Sequence, residues 1–389
     1  MECDIVIIGA GPAGLAFASS LAKTGLSITL IDRQPLDAIA EPVYDGREIA
    51  LTHHSQNILH DLGAWAYLPH DDIAPLQEAR VLNGNSPFAL SFDTGQTGAE
   101  ALGCLVSNCH IRKALFRCIE GREKITLLAG QAIRSISHSQ KHVAAELADG
   151  SYVTGKLLVG ADSRFSWVRD QLGIAAEINR LGRGMLVARM QHEKPHGKIA
   201  TEWFDHYQTV AMLPLRNNYS SAVVTLPIGE AEALMRLSEK QFSTEITQRY
   251  RHHLGNMELD GTRHLYPLAT TWSHHFVSDR AALIGDAAVG MHPVTAHGFN
   301  LGLSGQRLLA EEVSSALRKG QDIGGARVLR AYEQAHRRAA ASLYRGTNML
   351  VRLFTDEAPP SRVMRHVALR VAQKMPLVRS SIRSMLMAR

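Results

Sequence analysis

Apolar residues in this chain fall into short unbroken runs separated by stretches with helical spacing. Asp4 to Ile8 is a run of strand length. A glycine-rich turn follows, then a helical pattern to about Thr24, then Gly25 and a second apolar run from Ser27 to Ile31. This order, strand, loop, helix, strand, predicts a βαβ unit. Helical periodicity returns at Ser55 to Leu62, closed by Gly63, and at Ser107 to Ile119. Thr126 to Ala129 reads as a strand. His142 to Leu147 and Ser151 to Val153, joined by Asp149-Gly150, read as a hairpin, and Lys156 to Val159 as a short buried strand. The texture then changes. Met185 to Met190, Ile199 to Phe204, Thr209 to Leu213 and Ser220 to Leu226 are short segments, several with β-branched residues, separated by turn residues, as in an antiparallel sheet. An interrupted helical pattern covers Ala231 to Leu254. The α/β texture resumes at Arg280, and helices from Leu301 to Arg318 and Ala326 to Phe354 follow.

The pattern predicts a mixed α/β (α+β) fold. A Rossmann-like nucleotide-binding domain, residues 1–72, 101–178 and 272–345, is interrupted by an antiparallel-sheet substrate domain, 73–100 and 179–271. Residues 346–389 form a C-terminal helical segment. A chain of 389 residues suits two such lobes. The net charge of +5 changes this picture only by favouring anionic partners: phosphates, an acidic cofactor or an anionic membrane surface. It is too weak an excess to argue for nucleic acid. Cys3, Cys104, Cys109 and Cys118 form no C-x-x-C pair, so free thiols in a reducing cytoplasm are expected. The first strand leaves no room for a signal peptide ahead of it, and no apolar run is long enough to span a bilayer.

Two loops carry the candidate chemistry. Gly9-Ala10-Gly11-Pro12-Ala13-Gly14 fits G-x-G-x-x-G between a strand and a helix. The first glycine allows the tight turn, the second lets a pyrophosphate approach the backbone, and the third lets the helix pack on the strand. The helix N-terminus then faces the anion. Asp32, at the end of the next strand, is placed to bond a ribose hydroxyl. Arg33 beside it is a candidate adenosine contact, with a solvated arginine as the alternative. The opening motif together with the β-rich insertion suggests FAD. The second loop, Gly285 to Asn300, also runs from an apolar stretch to a helix start.

With Leu157-Leu158-Val159-Gly160-Ala161-Asp162-Ser163-Arg164-Phe165-Ser166-Trp167-Val168-Arg169, these two loops give three motifs in one order across most of the chain. In them the chain resembles the class A flavoprotein monooxygenases of the para-hydroxybenzoate hydroxylase type. Within those it is most similar to the ubiquinone-biosynthesis hydroxylases, of the 5-demethoxyubiquinol 5-hydroxylase type. Arg47 to Ser55, Asn108 to Arg112 and Tyr344 to Phe354 are similar to segments of that branch.

The resemblance implies where an extended FAD would lie. Gly9 to Gly14 holds its pyrophosphate. Asp286 bonds the ribityl and pyrophosphate portion. The helix beginning at Gly298-Phe299-Asn300 points its amides at the flavin, which suits the negative charge of the reduced ring. Pro293 forms a rigid wall. Arg47 and Arg112 are candidate cofactor contacts, with surface ion pairs as the alternative. Ile133 and Asp162 join the cofactor-binding set, Asp162 also being associated with NAD(P)H handling. Arg169 is expected to bond structural carbonyls or carboxylates. The family's Asp-Gly is Asp162-Ser163 here, and serine adopts left-handed backbone reluctantly. The family's histidine after Gly-Asp-Ala-Ala is Val289, and a glutamine before Gly298 is His297. A histidine there can tune the reduced flavin or relay a proton; helix capping or packing is the alternative.

The implied reaction is NAD(P)H reduction of FAD, addition of O2 to give a flavin C4a-hydroperoxide, and hydroxylation of a polyprenylated phenol or benzoquinol precursor of ubiquinone. The sequence does not identify the group that keeps the phenol electron-rich; His206 and Tyr207 are candidates, with core or surface roles as the alternative. A same-fold hydroxylase of another ring position or of a soluble phenol, and a flavin reductase or dehydrogenase without oxygen insertion, are rivals. Ser361 to Met375 and the residues after Pro376 have apolar and basic faces at helical spacing. They suit a peripheral contact with the inner membrane face, or docking on the same domain or on a partner of a biosynthetic complex. The pairs His53-His54, His252-His253 and His274-His275 lack metal spacing, so no metal is expected.

Overall fold

A computed structural model describes residues 1–86, 88–95, 100–205 and 207–355. Ile5–Ile8 is the centre of a six-stranded sheet. Ile28–Asp32 and then Ile125–Ala129 pair parallel on one side. Leu157–Gly160 and Ala281–Leu283 pair parallel on the other, and the antiparallel Val277–Ser278 closes that edge. All four residues of Ile5–Ile8 are buried, because the sheet is covered by helices and by a three-stranded meander. The helices are Pro12–Leu21, Asn108–Ile119 and Gly298–Arg318; the meander is Ile133–His138, Val143–Leu147 and Tyr152–Gly155. This accounts for the near-continuous apolar runs of the parallel strands.

The second sheet has eight strands, in the order Val289–Gly290, Met257–Ser273, Ala176–His192, Tyr219–Pro227, Gln208–Pro214, Ile199–Asp205, Glu78–Asn83 and Ala89–Asp93. The expected antiparallel pairing holds except at one joint, where Ile199–Asp205 runs parallel to Glu78–Asn83. Two strands, Ala176–His192 and Met257–Ser273, are 17 residues each, longer than the hydrophobic pattern implied. Their pairing register shifts between Arg180 and Gly184 and between Ala188 and Arg189. The helical pattern from Ala231 to Leu254 resolves into Ile228–Met235 and Glu239–Arg249, the second opened by a Ser238–Gln241 capping box.

Those two helices cover one face of the large sheet, burying Leu186, Ala188, Val210, Met212, Ala222 and Val224 with Phe242 and Ile246. Strand alternation puts Met185, Val187, Val223, Ala211, Glu202 and Phe204 on the opposite face. That face looks toward the parallel-sheet domain. At one end Tyr266 Oη donates to the Asp45 carbonyl at 2.6 Å, and at the other the cluster of Leu90, Phe92 and Phe204 packs with Val294 and Leu350. Between these contacts Met185, Val223 and Thr225 keep partial exposure, whereas the helix-covered face is closed. The space between the sheet and the other domain is therefore a cleft. No helix among the described residues is long and apolar enough to cross a membrane. The amphipathic segment from Ser361 to Arg389 lies outside the described residues.

Candidate active site

Each glycine of the first loop has its own reason. Gly9 has φ +108°, and a Cβ there would stand 2.4 Å from the Ala161 carbonyl oxygen. A Cβ on Gly14 would stand 2.0 Å from the Gly9 carbonyl oxygen, so the helix can approach the strand only without one. Gly11 differs: a Cβ there would meet no protein atom within 4 Å. Its backbone is open at the start of Pro12–Leu21, a helix whose first amides no side chain caps among the described residues. Asp32 holds the loop from below. The Ala10 amide donates to its Oδ2 at 2.6 Å and the Gln34 amide to its Oδ1 at 2.8 Å. Arg33 is exposed at the strand end.

The second loop packs directly on the first. Gly285 has φ +59°, and a Cβ there would lie 2.9 Å from the Ala13 Cβ. Asp286 follows and accepts from Arg164 Nη2 at 2.9 Å. The same guanidinium donates to the Ala269 carbonyl at 2.9 Å. Arg169 is buried and donates to the carbonyls of Arg164 and Ala287, at 3.1 and 3.3 Å, in the carbonyl-bonding role expected of it. The middle motif is thus the brace of the second loop. Ser166 caps the short helix Trp167–Gln171, and Asp162 supports that cap, accepting from Ser166 Oγ at 2.5 Å and from the Val168 amide at 3.2 Å. Ser163 does not occupy left-handed backbone, so the loop tolerates it without the family's glycine.

Beyond Asp286 the chain turns through Pro293–Thr295 to Ala296, an alanine with φ +52°. His297 Nδ1 bonds the Thr295 carbonyl, which requires the proton on Nδ1. Gly298–Arg318 then begins with no side-chain cap. Asn300 is fully engaged with the scaffold. Its Nδ2 donates to the carbonyls of Ala50 at 2.8 Å and Ala296 at 3.0 Å, and its Oδ1 accepts from the Thr52 amide at 3.1 Å. The side chain therefore positions the loop, and the residue's amide is what it offers a ligand. A cavity of about 40 Å³ lies between Ala296, His297, Asn300 and the segments Ala50–Thr52 and Leu102–Cys104.

The remaining candidates line the groove between these loops or stand apart from it. Arg47 pairs with Asp45 at 2.5 Å and lies over the Tyr266 ring at 5.4 Å. Arg112 reaches Gln34 at 3.2 Å, beside Asp32. Ile133 begins a meander strand two residues beyond Gln131, whose amide donates to the Asp32 carbonyl at 2.9 Å. Tyr207 is 72% exposed, at the turn between Ile199–Asp205 and Gln208–Pro214; His206 lies outside the described residues. Among the described residues no cluster of His, Cys, Asp and Glu fits a metal.

Several polar groups at the domain interface escaped sequence reading. Tyr44 Oη donates to Glu48 at 3.3 Å, and Arg189 reaches the same carboxylate at 3.5 Å. Burial pushes the Glu48 carboxyl up, against the pull of Arg189. His292, within the second loop, is driven down to about 4 by burial, Arg183 and Arg164, and stands neutral. Only pairing across the two domains brings these residues together, so no local spacing announces them.

An open Gly11, two helix N-termini without a side-chain cap among the described residues, and an acidic residue at each of two loops packed through Gly285 and Ala13 are a set of groups that suits an extended dinucleotide. A family profile described as "FAD binding domain" matches residues 2–347. The chain is 41% identical over 386 residues to ubiquinone hydroxylase UbiM of Neisseria meningitidis, covering 98% of this chain and 84% of that one. It is 33% identical to ubiquinone hydroxylase UbiL of Rhodospirillum rubrum, covering 98% and 88%. Klebsiella pneumoniae HpxO, solved with FAD and uric acid, shares the fold with a TM-score of 0.75 and 17% identity, covering 100% and 97%.

Proposed function

The chain belongs to the FAD-binding flavoprotein monooxygenase family, and from that premise we propose that it hydroxylates a polyprenylated phenol or benzoquinol in ubiquinone biosynthesis, with NAD(P)H and O2. The observation that carries this reading is the likeness to a ubiquinone hydroxylase across 98% of the chain, including the cleft-facing sheet as well as the cofactor loops. Bound FAD supplies hydride acceptance and oxygen activation.

The chain's own residues bind and orient. Gly9, Gly11, Pro12, Ala13 and Gly14 take the pyrophosphate. Asp32, Arg33, Arg112 and Ile133 surround the adenosine end, and Arg47, Asp162 and Asp286 the middle. The amides of Gly298, Phe299 and Asn300 face the flavin. Pro293 walls the ring side of the pocket, and His297 holds a proton beside the flavin edge. The apolar wall around Met185 and Val223 suits an aromatic ring bearing a lipid tail. Such a tail brings the protein to the cytoplasmic face of the membrane, with the basic C-terminal segment as the contact.

The test is oxygen-18 incorporation. FAD-loaded protein with NAD(P)H, ¹⁸O2 and a short-tailed prenylphenol is expected to release product carrying one ¹⁸O. Nicotinamide oxidation with an unlabelled ring would instead identify a reductase.

A further inference from the structure

Ile199–Asp205 reads IATEWFD, an apolar strand with one carboxylic acid in the middle. Thr201 and Trp203 point into the closed, helix-covered side, where Trp203 is 2% exposed. Glu202 therefore points the other way, into the cleft, between Ala200 and Phe204 on its own strand. Across the sheet it sits in a row with Val81, Ala211, Val223 and Val187. At the far end of that row His264 packs on Gly46 and Tyr44, next to Arg47. Phe204, two residues along the strand, forms an apolar cluster with Leu90 and Phe92 against which Val294 of the second cofactor loop packs. The acid thus lies on a wall that touches cofactor-loop segments at both ends.

Among the described residues, the side chains around it are mostly apolar and none bonds it. Ala79, Val81 and Asn83 share its face on one neighbouring strand, and Thr209, Ala211 and Leu213 on the other. Charged groups on this face lie further off: Arg183, which bonds the Tyr207 and Thr225 carbonyls, and Arg189 and His264, against the Tyr44–Glu48 segment. Among the described residues Glu202 has no hydrogen bond and no ion pair. Part of the side chain still meets the cleft, yet its wall is dense enough that burial alone pushes the carboxyl up to about 8. An unpaired acid in an apolar wall is costly, and a ligand that bonds it offsets that cost.

We propose that Glu202 is a catalytic residue that receives the ring hydroxyl of the aromatic substrate. The proposal rests on the hydroxylase reading. The substrate O–H bond breaks, the new O–H bond forms on the Glu202 carboxylate, and the electron pair stays on the ring oxygen. The ring gains the electron density that electrophilic oxygen transfer needs. Oxygen transfer forms a C–O bond at a ring carbon; the C–H bond there then breaks, its electron pair restores the aromatic ring and its proton goes to solvent, while the proton on Glu202 returns to the ring oxygen.

The experiment compares wild type, Glu202→Gln and Glu202→Asp, each loaded with FAD, using a short-tailed prenylphenol, NAD(P)H and ¹⁸O2. Wild-type hydroxylation is expected to rise between about pH 7 and 9 as the carboxylate ionises, and Glu202→Gln to lose that rise together with roughly tenfold or more of the rate. Glu202→Asp is expected to keep the pH rise at reduced rate. FAD content is expected to be the same in all three. A wild-type profile flat over this range, or Glu202→Gln with wild-type rate and profile, overturns the role of Glu202 and leaves the hydroxylase reading standing. Wild type that oxidises NAD(P)H without labelling the ring overturns the hydroxylase reading, and the proposal with it.

Discussion

The Arg164 guanidinium stands 2.9 Å from the Asp286 carboxylate and fastens a motif after the fourth parallel strand to the second loop, proposed above to hold the flavin end of FAD. The contact is half-exposed, so its share of global stability is small. Its effect is positional: without it the Asp286 carboxylate loses the bond that fixes its direction. Arg164→Ala is expected to weaken FAD binding about tenfold, or about 1.4 kcal/mol, with little change in melting temperature. Quenching of flavin fluorescence on titration measures it. Unchanged affinity would show that Asp286 does not need this brace.

Gly11 and Gly14 separate binding from folding within one loop. An alanine at 11 meets no protein atom, so Gly11→Ala is expected to fold normally and to lose at least about 1.4 kcal/mol of FAD affinity, because the methyl fills the space the pyrophosphate needs. An alanine at 14 meets the Gly9 carbonyl at 2.0 Å. Gly14→Ala is expected to destabilise the apoprotein by about 2–3 kcal/mol. Denaturant melts without and with FAD distinguish the two; equal behaviour would refute the division of roles.

Much of this site was legible because its rules are local. Gly9, Gly11, Gly14 and Asp32 lie within one βαβ unit, and a motif there maps directly onto geometry. The two long strands were not legible. Gly182, Gly184, Gly261 and Pro267 resemble turn residues, yet they sit inside strands whose pairing register shifts close to the first pair. Asn300 illustrates a second limit. Its side chain bonds Ala50 and Thr52, some 250 positions away, and no spacing within its own motif reveals that engagement. Glu202 was hidden for the same reason: which face of the sheet is open depends on what packs against it.

Ala296 holds φ +52° just before the helix Gly298–Arg318, where an L-residue with a Cβ is disfavoured by about 1–2 kcal/mol. Glycine removes that strain but adds freedom to the unfolded chain. Ala296→Gly is therefore expected to stabilise by only about 0.5 kcal/mol net, and Ala296→Val, β-branched, to destabilise by more than that. Chemical denaturation of the apoproteins checks the order of the three. Valine as stable as alanine would mean that the turn relaxes out of the left-handed region.

His336 is stacked on Tyr332 at 5.6 Å and tilted against Phe276 at 5.3 Å, and it is 1% exposed. Burial drives its pKa down to about 4, whereas in the unfolded chain it titrates near about 6.5. Below about 6.5 the unfolded state therefore takes up a proton that the folded state refuses until about 4. Stability is full above that window and falls as the pH drops through it, by up to about 3 kcal/mol from this residue. His292, also near 4, acts in the same direction, so one substitution removes only part of the slope. His336→Gln is expected to be less stable than wild type at neutral pH, because the ring packing is lost, and to lose less on acidification. Urea unfolding at neutral pH and again near the lower edge of the window measures both. A variant with the same loss on acidification as wild type would show that His336 does not carry this linkage.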